Sequence, residues 1–270
     1  MTQQNSIISW LFAAKAIRVC QPGQPFWYTS GTLGPYYINT HFLFGSESEA
    51  GDLLALIEEA AADPLQMPVR IAEAVHRQYE SNQLYHDVCD LIVSWMKACD
   101  FDFVSGGERR DFFFSVQAAR LLGKPHLSIL KNGTRIWSDN NFERQFIIGD
   151  DALAGLKALH VADLVTEASS YQRAWLPAIH QSGASMPLTL AVVDRDQGGR
   201  EWLLANGTEL LALTRIDREL FKQALQEKLI DQAQFEMINQ FIDSPQEFMR
   251  RFFAEHPLYL DQQIAMGGKN

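Results

Sequence analysis

The chain has 270 residues, 47% of them hydrophobic and 21% charged, a globular composition that can bury a large core without disulfide or metal staples. Its formal net charge of −10, with no long basic run, argues against a broad nucleic-acid-binding face but leaves room for a small anionic ligand held by a few local cations. No basic stretch leads into an apolar run at the N-terminus, and the apolar stretch 7–17 is broken by Lys15 and too short to span a bilayer, so a cytoplasmic protein without membrane partners is expected.

Ile7, Leu11, Ala14 and Ile17 recur at helical spacing, and the Pro/Gly-rich stretch 21–25 ends that helix. Two aromatic runs, Phe26-Trp27-Tyr28 and Tyr36-Tyr37-Ile38, flank Ser30-Gly31 and Gly34-Pro35, which predicts a hairpin. Ser46 and Glu49 have capping-box spacing ahead of Leu53, Leu54, Leu56 and Ile57. Residues 68–99 read as one long helix, with Pro68 in its first turn and Tyr85, Val88, Cys89, Ile92, Trp95 and Met96 on one face.

From residue 100 short β-like runs alternate with helices. The strand candidates are 101–104, 126–130, 158–165, 188–193 and 210–214, and the helices between them reach Leu122 and span 171–180. Strand-turn-helix repetition with buried strands implies an α/β protein with a parallel sheet covered on both faces, whose ligands sit at the carboxyl ends of the strands. Residues 217–260 read as a helical tail, divided at Ser244-Pro245. Its apolar spacing at 235, 238, 241, 242, 248 and 252 fits core or a dimer seam. Cys20, Cys89 and Cys99 form no C-x-x-C pair and read as reduced thiols. The seven histidines show no zinc-binding spacing.

Three strand ends carry chemistry. Ser105, Gly106 and Gly107 precede Glu108, Arg109, Arg110 and Asp111: glycines let a backbone approach an anion, a helix N-terminus points amides at it, and arginines match phosphate oxygens. A plain strand-to-helix turn with solvated arginines accounts for the same residues. Asp163 ends the next apolar run, and Thr166, Glu167, Ala168, Ser169 and Ser170 lead into a helix; hydroxyls and amides there suit a sugar 5-phosphate while Asp163 faces ribose hydroxyls. An ordinary N-capped helix would use the same residue types. Arg195, just past the most apolar strand, is placed to pair with a planar carboxylate, unless Asp194 and Asp196 hold it in an ion pair.

In this order the three turns resemble a type I phosphoribosyltransferase, and residues 7–215 resemble the orotate phosphoribosyltransferases more closely. The stretch from Tyr28 to Asn39 resembles that family's N-terminal hood, usually Ser-Gly, two residues, then Ser-Pro-Tyr. The stretch from Val193 to Glu201 resembles its turn with an orotate-binding arginine, and Leu121-Leu122-Gly123-Lys124-Pro125-His126 resembles the segment after its pyrophosphate loop. The resemblance implies a type I phosphoribosyltransferase-like domain over 1–216, with the hood from 1–60 and an inserted long helix 68–99, and a C-terminal helical extension over 217–270. It implies transfer of phosphoribosyl from 5-phosphoribosyl 1-diphosphate to orotate or a related pyrimidine, with Mg²⁺ carried by the diphosphate rather than by direct protein ligands, in a homodimer. In that scheme Gly106, Gly107, Arg109 and Arg110 hold pyrophosphate, Thr166, Ser169 and Ser170 the 5-phosphate, and Asp163 the ribose. Tyr37, Ile38 and Arg195 hold the base, while Lys131 and Arg135 join Asp163 as catalytic groups from the family's mobile loop.

Four positions depart from the family pattern. Ala162 stands where the family has the first of two adjacent acids, Glu167 puts negative charge beside the proposed phosphate, Ala168 replaces a glycine, and Thr29 replaces the hood lysine. These departures give the alternative expectation: a non-catalytic phosphoribosyltransferase-like protein that binds a nucleotide or phosphate ester, or that uses the fold for interaction only.

Overall fold

The computed structural model describes residues 3–28, 31–257 and 259. Thr29 and Ser30 of the expected hood turn, and residues 258 and 260–270 of the expected tail, lie outside the described residues. Helix α1 (Gln3–Ala13) leads into four short strands, β1 (Ile17–Val19), β2 (Phe26–Trp27), β3 (Leu33–Gly34) and β4 (Tyr36–Ile38). Helices α2 (Glu47–Ala60), α3 (Met67–Ser81) and α4 (Gln83–Met96) follow. The sheet region runs β5 (Phe103–Gly107), α5 (Phe112–Leu122), β6 (His126–Ile129), β7 (Arg135–Ser138), β8 (Gln145–Ile147), β9 (Lys157–Val165), α6 (Leu176–Gln181), β10 (Ser185–Asp194), α7 (Gly199–Ala205) and β11 (Glu209–Arg215). Helices α8 (Arg218–Gln226), α9 (Gln232–Asp243) and α10 (Pro245–Glu255) close the described chain.

The seven-stranded sheet has the order β11-β10-β9-β5-β6-β7-β8. β11 through β6 are parallel, and β7 and β8 add an antiparallel edge. Both faces are buried, which is why β9 and β10 read as largely apolar runs, broken inside by His160 and Asp163 in β9 and by Thr189 in β10. Leu159 and Val161 of β9 face the core under α1–α5 and α8, whereas Ala158 and Ala162 face the core under α6 and α7. Each fully buried Leu or Val contributes about 1.5–3 kcal/mol relative to exposure.

The structure redraws four of the expected elements. The first helix stops at Ala13; Lys15 turns the chain with φ 55°, and Ile17 opens β1, paired to Ile38. The expected hairpin joins Phe26–Trp27 to Leu33–Gly34, but β4 pairs with β1 instead. The long helix expected over 68–99 is two helices, because Asn82 leaves helical geometry (φ −120°, ψ 109°) and its side chain caps α4 by accepting the Tyr85 N–H at 3.1 Å. Gly106 and Gly107 lie inside β5 rather than in a turn. A Cβ on Gly106 would sit 2.1 Å from Ser115 Oγ and one on Gly107 2.2 Å from the Trp175 ring, so both glycines let neighbouring elements pack against the strand. The Ser46–Glu49 cap ahead of α2 is present as expected.

Candidate active site

A cleft of about 340 Å³ opens at the carboxyl ends of β5 and β9. One wall is Gly107, Glu108, Arg109 and Arg110 with Lys131; the other is the turn Thr166, Glu167, Ala168, Ser169 and Ser170; Asp111, Asp163, Tyr171 and Trp175 form the floor. This is the end of a doubly covered parallel sheet where ligands bind.

The turn after β9 is held from behind. Thr166 O accepts the Gly199 N–H at 2.9 Å, and Ala168 O accepts the Gln172 N–H at 3.0 Å. Ala168 takes φ 56°, the left-handed conformation that a glycine would adopt without cost. A helical turn, Tyr171–Trp175, runs directly into α6, and among the described residues the amides of Thr166, Glu167, Ala168, Ser169 and Ser170 ahead of it donate to no side chain and to no carbonyl outside that helical segment. Tyr171 does not seal them: its hydroxyl is turned to Thr189 Oγ1 at 2.7 Å beneath the cleft.

Opposite, Arg109 pairs with Glu58 of α2, and Glu108 accepts the Lys131 N–H at 3.0 Å, which ties the two cation-bearing segments together. Arg110 and Lys131 form no ion pair among the described residues. Arg110 lies close enough to Asp163 and to His41 for its charge to favour the carboxylate of one and the neutral imidazole of the other.

Asp111 organises the floor. Its carboxylate accepts the Gly107 N–H at 3.1 Å and the Asp163 N–H at 3.2 Å, and lies 3.3 Å from His160 Nε2; His160 Nδ1 reaches Ser105 Oγ at 3.0 Å. Burial first, then the Asp111 carboxyl, pushes the Asp163 carboxyl well above the usual carboxylate range. The floor therefore carries two carboxyls that disfavour a second negative charge. The sequence pattern includes Asp111 in this turn but assigns it no role, although an acid at the start of α5 is its visible signal.

The structure brings Gly107, Arg109, Arg110, Lys131, Asp163, Thr166, Ser169 and Ser170 into one cleft. It does not bring Gly106 there, since that glycine lies within β5 against Ser115. Arg135 is also elsewhere: the expected mobile loop is a turn with Gly133 at φ 85° followed by β7, and the buried Arg135 guanidinium is committed to Asp150 at 2.7 Å and Ser182 at 3.1 Å. Tyr37 and Ile38 are not at the cleft. Tyr37 borders a separate cavity with Arg18, Phe26, Asn39 and Tyr259, and Ile38 pairs with Ile17 in the hood. Arg195 sits one strand over, its N–H donating to Val165 O at 2.8 Å. The buried Asp194 takes Arg200 at 2.9 Å and Arg215 at 3.8 Å, and Asp196 takes Arg215 at 3.5 Å, so neither acid holds Arg195. Arg195 lies close enough to Tyr28 and Tyr36 for its charge to draw down hydroxyls that burial pushes up.

Chains of known structure share this fold. Leishmania donovani UMP synthase superposes with a TM-score of 0.55 at 15% identity, covering 88% of this chain and 42% of that one. Francisella tularensis orotate phosphoribosyltransferase gives 0.54 at 14% identity over 87% of this chain and 96% of that one. The fold is that of the type I phosphoribosyltransferases. Mycobacterium tuberculosis orotate phosphoribosyltransferase in complex with inorganic phosphate gives 0.50 at 14% identity over 80% and 97%. In sequence the chain is similar to orotate phosphoribosyltransferases: it is 31% identical over 121 residues to that of Methanoculleus marisnigri, spanning 45% of this chain and 66% of the relative, just under two thirds of its length. It is 24% identical over 160 residues to that of Sulfurisphaera tokodaii, spanning 59% and 77%. No family model matches the chain. Among the described residues, no helix is long and apolar enough to cross a membrane, and no three or more His, Cys, Asp or Glu side chains are grouped to hold a metal ion.

Proposed function

We propose that this protein is a phosphoribosyltransferase that moves the phosphoribosyl group of 5-phosphoribosyl 1-diphosphate to orotate or a related carboxylated pyrimidine. The carrying observation is the cleft itself: free helix-start amides and hydroxyls on one wall, Arg110 and Lys131 on the other, and a buried acid between them. The orotate phosphoribosyltransferase relatives support the same substrate class.

In this reading the amides of Thr166 to Ser170 hold the 5-phosphate, since a helix start concentrates N–H donors and positive potential. Arg110 and Lys131 neutralise the diphosphate leaving group as the bond from ribose C1 to oxygen breaks, and that electrostatic support lowers the barrier to an oxocarbenium-like transition state. Asp163 orients the ribose hydroxyls, and Arg195 meets the base carboxylate beside Tyr28 and Tyr36. Mg²⁺ fits as part of the substrate: the cleft offers the Asp111–Asp163 carboxyls and no larger ligand cluster, so the ion would keep diphosphate oxygens and waters and supply charge neutralisation. A homodimer belongs to the same proposal and is checked by light scattering.

The experiment is a chromatographic assay for orotidine 5′-phosphate and pyrophosphate from orotate, 5-phosphoribosyl 1-diphosphate and Mg²⁺. Product formation that is lost in Arg195→Ala supports the reading; no turnover with any nucleobase tested overturns it. Glu167 in the cleft favours a second reading, a nucleotide-binding protein without turnover. That reading expects a nucleoside monophosphate to raise Tm while no product forms.

A further inference from the structure

The last three helices pack onto the hood strands. Gln234 of α9, itself buried, donates Nε2 to Cys20 O at 3.2 Å at the end of β1. Cys20 Sγ lies 3.8 Å from Met237 Sδ, and the Leu33 N–H of β3 meets Met249 Sδ of α10 at 3.4 Å. Tyr36 of β4 is packed between Phe221 of α8 (ring centroids 5.0 Å apart) and Phe241 of α9 (5.7 Å, edge to face). Tyr28 in turn donates its hydroxyl to Tyr36 O. A continuous chain of contacts thus runs from α8–α10 through Tyr36 to Tyr28, two tyrosines whose hydroxyls lie within reach of the Arg195 charge.

Hood strands of two and three residues cannot hold themselves in place, because so short a ladder is marginal without packing. The carbonyl at Cys20 is also buried away from water and needs the donor that Gln234 supplies. We infer that α8–α10 act as a brace that positions the base subsite, with Gln234 and Phe241 as positioning residues acting through Tyr36 on Tyr28 and Arg195, one strand over from the phosphate cleft. The identity of the ligand rests on the phosphoribosyltransferase reading; the bracing does not. No α8–α10 side chain lines the phosphate cleft, so the brace acts on one substrate and not the other.

The test uses the full chain with Gln234→Ala, Phe241→Ala and the milder Phe241→Leu. Two measurements are made: amide hydrogen exchange over the hood, and calorimetric affinity for orotate and for 5-phosphoribosyl 1-diphosphate with Mg²⁺. Exchange at the β1 and β4 amides should rise at least tenfold while the α3–α4 amides stay unchanged. Orotate affinity should fall about tenfold while affinity for the diphosphate stays within twofold. Unchanged hood exchange overturns the brace, as does equal weakening of both ligands. Should the unsubstituted protein bind no orotate, the functional reading fails, and the exchange measurement alone still decides the bracing.

Discussion

Asp111 Oδ1 accepts the backbone N–H of Asp163 at 3.2 Å, so the acid that opens α5 is fastened to the acid of β9. The same carboxylate takes the Gly107 N–H, which makes one side chain the joint between both walls of the cleft. Asp111→Ala would leave two buried amides and His160 without an acceptor, and each orphaned donor costs about 1–3 kcal/mol. The expected loss is therefore roughly 3–5 kcal/mol, the range seen when one partner of a buried polar set is removed. Asp163→Asn replaces a carboxyl that burial and Asp111 make costly to ionise, and should be neutral or stabilising at neutral pH. Urea unfolding of both variants checks the contrast; equal destabilisation by the two would refute the joint.

Stability should peak near pH 6.5 from the three strongly shifted groups that act between about pH 3 and 8, His41, His126 and Asp163. Burial lowers His126 and His41 to about 3, with His160 adding to the first and Arg110 and Arg109 to the second. Their unfolded value is about 6.5, so the unfolded chain takes up protons first and stability falls as pH drops below that value, by about 1.4 kcal/mol per pH unit for each histidine. Asp163 works in the opposite sense. Its folded pKa is raised to about 8, so the folded state holds the extra proton, and stability falls as pH rises from about 4 to about 8. Between pH 4 and 6.5 the two histidines outweigh the one acid; above 6.5 only the acid remains. Thermal melts of the unsubstituted protein and of Asp163→Asn across pH 5–9 check this, since the variant should lose the alkaline decline and keep the acid one.

Asn82 divides α3 from α4, and its side chain is the only cap at the start of α4 among the described residues. Asn82→Ala should cost about 1 kcal/mol, the usual value of an N-cap side chain. A Cm shift without a change in m value is the expected signature.

β9 and β10 were legible in the sequence because strands buried on both faces are mostly apolar whatever lies around them, the buried His160, Asp163 and Thr189 being too few to break the pattern. The Ser46 cap was legible for a similar reason, its partner being three residues away. Gly106 and Gly107 misled, because a glycine needed for close packing looks the same as a glycine needed for a turn. Only Ser115 and Trp175, brought there by the fold, tell the two apart. β7 was signalled by Asn132-Gly133 ahead of the alternating Arg135-Ile136-Trp137-Ser138, but the family comparison favoured a loop at that place. The Asp111–Asp163 joint spans 52 residues and the Gln234–Cys20 contact 214, so no local pattern could announce either.

Glu167 is the residue in the cleft that most opposes the proposed ligand. It lies within the turn whose amides are free, so its charge acts on the same space as a 5-phosphate. At an effective dielectric of about 20, charges separated by about 6–10 Å repel by roughly 2–3 kcal/mol, and solvent at the open side reduces that to about 1–2 kcal/mol. Glu167→Gln should therefore bind inorganic phosphate and 5-phosphoribosyl 1-diphosphate about 5- to 30-fold more tightly, with the gain shrinking as salt is raised. Pairing it with Ala168→Gly should add to the gain, because glycine adopts φ 56° without strain and allows closer approach of the backbone to the anion. Calorimetric titration at low and high salt measures both effects. An affinity for phosphate indifferent to Glu167→Gln at low salt would mean that the anion is not held at the start of the helix after β9, and the assignment of Thr166, Ser169 and Ser170 would go with it.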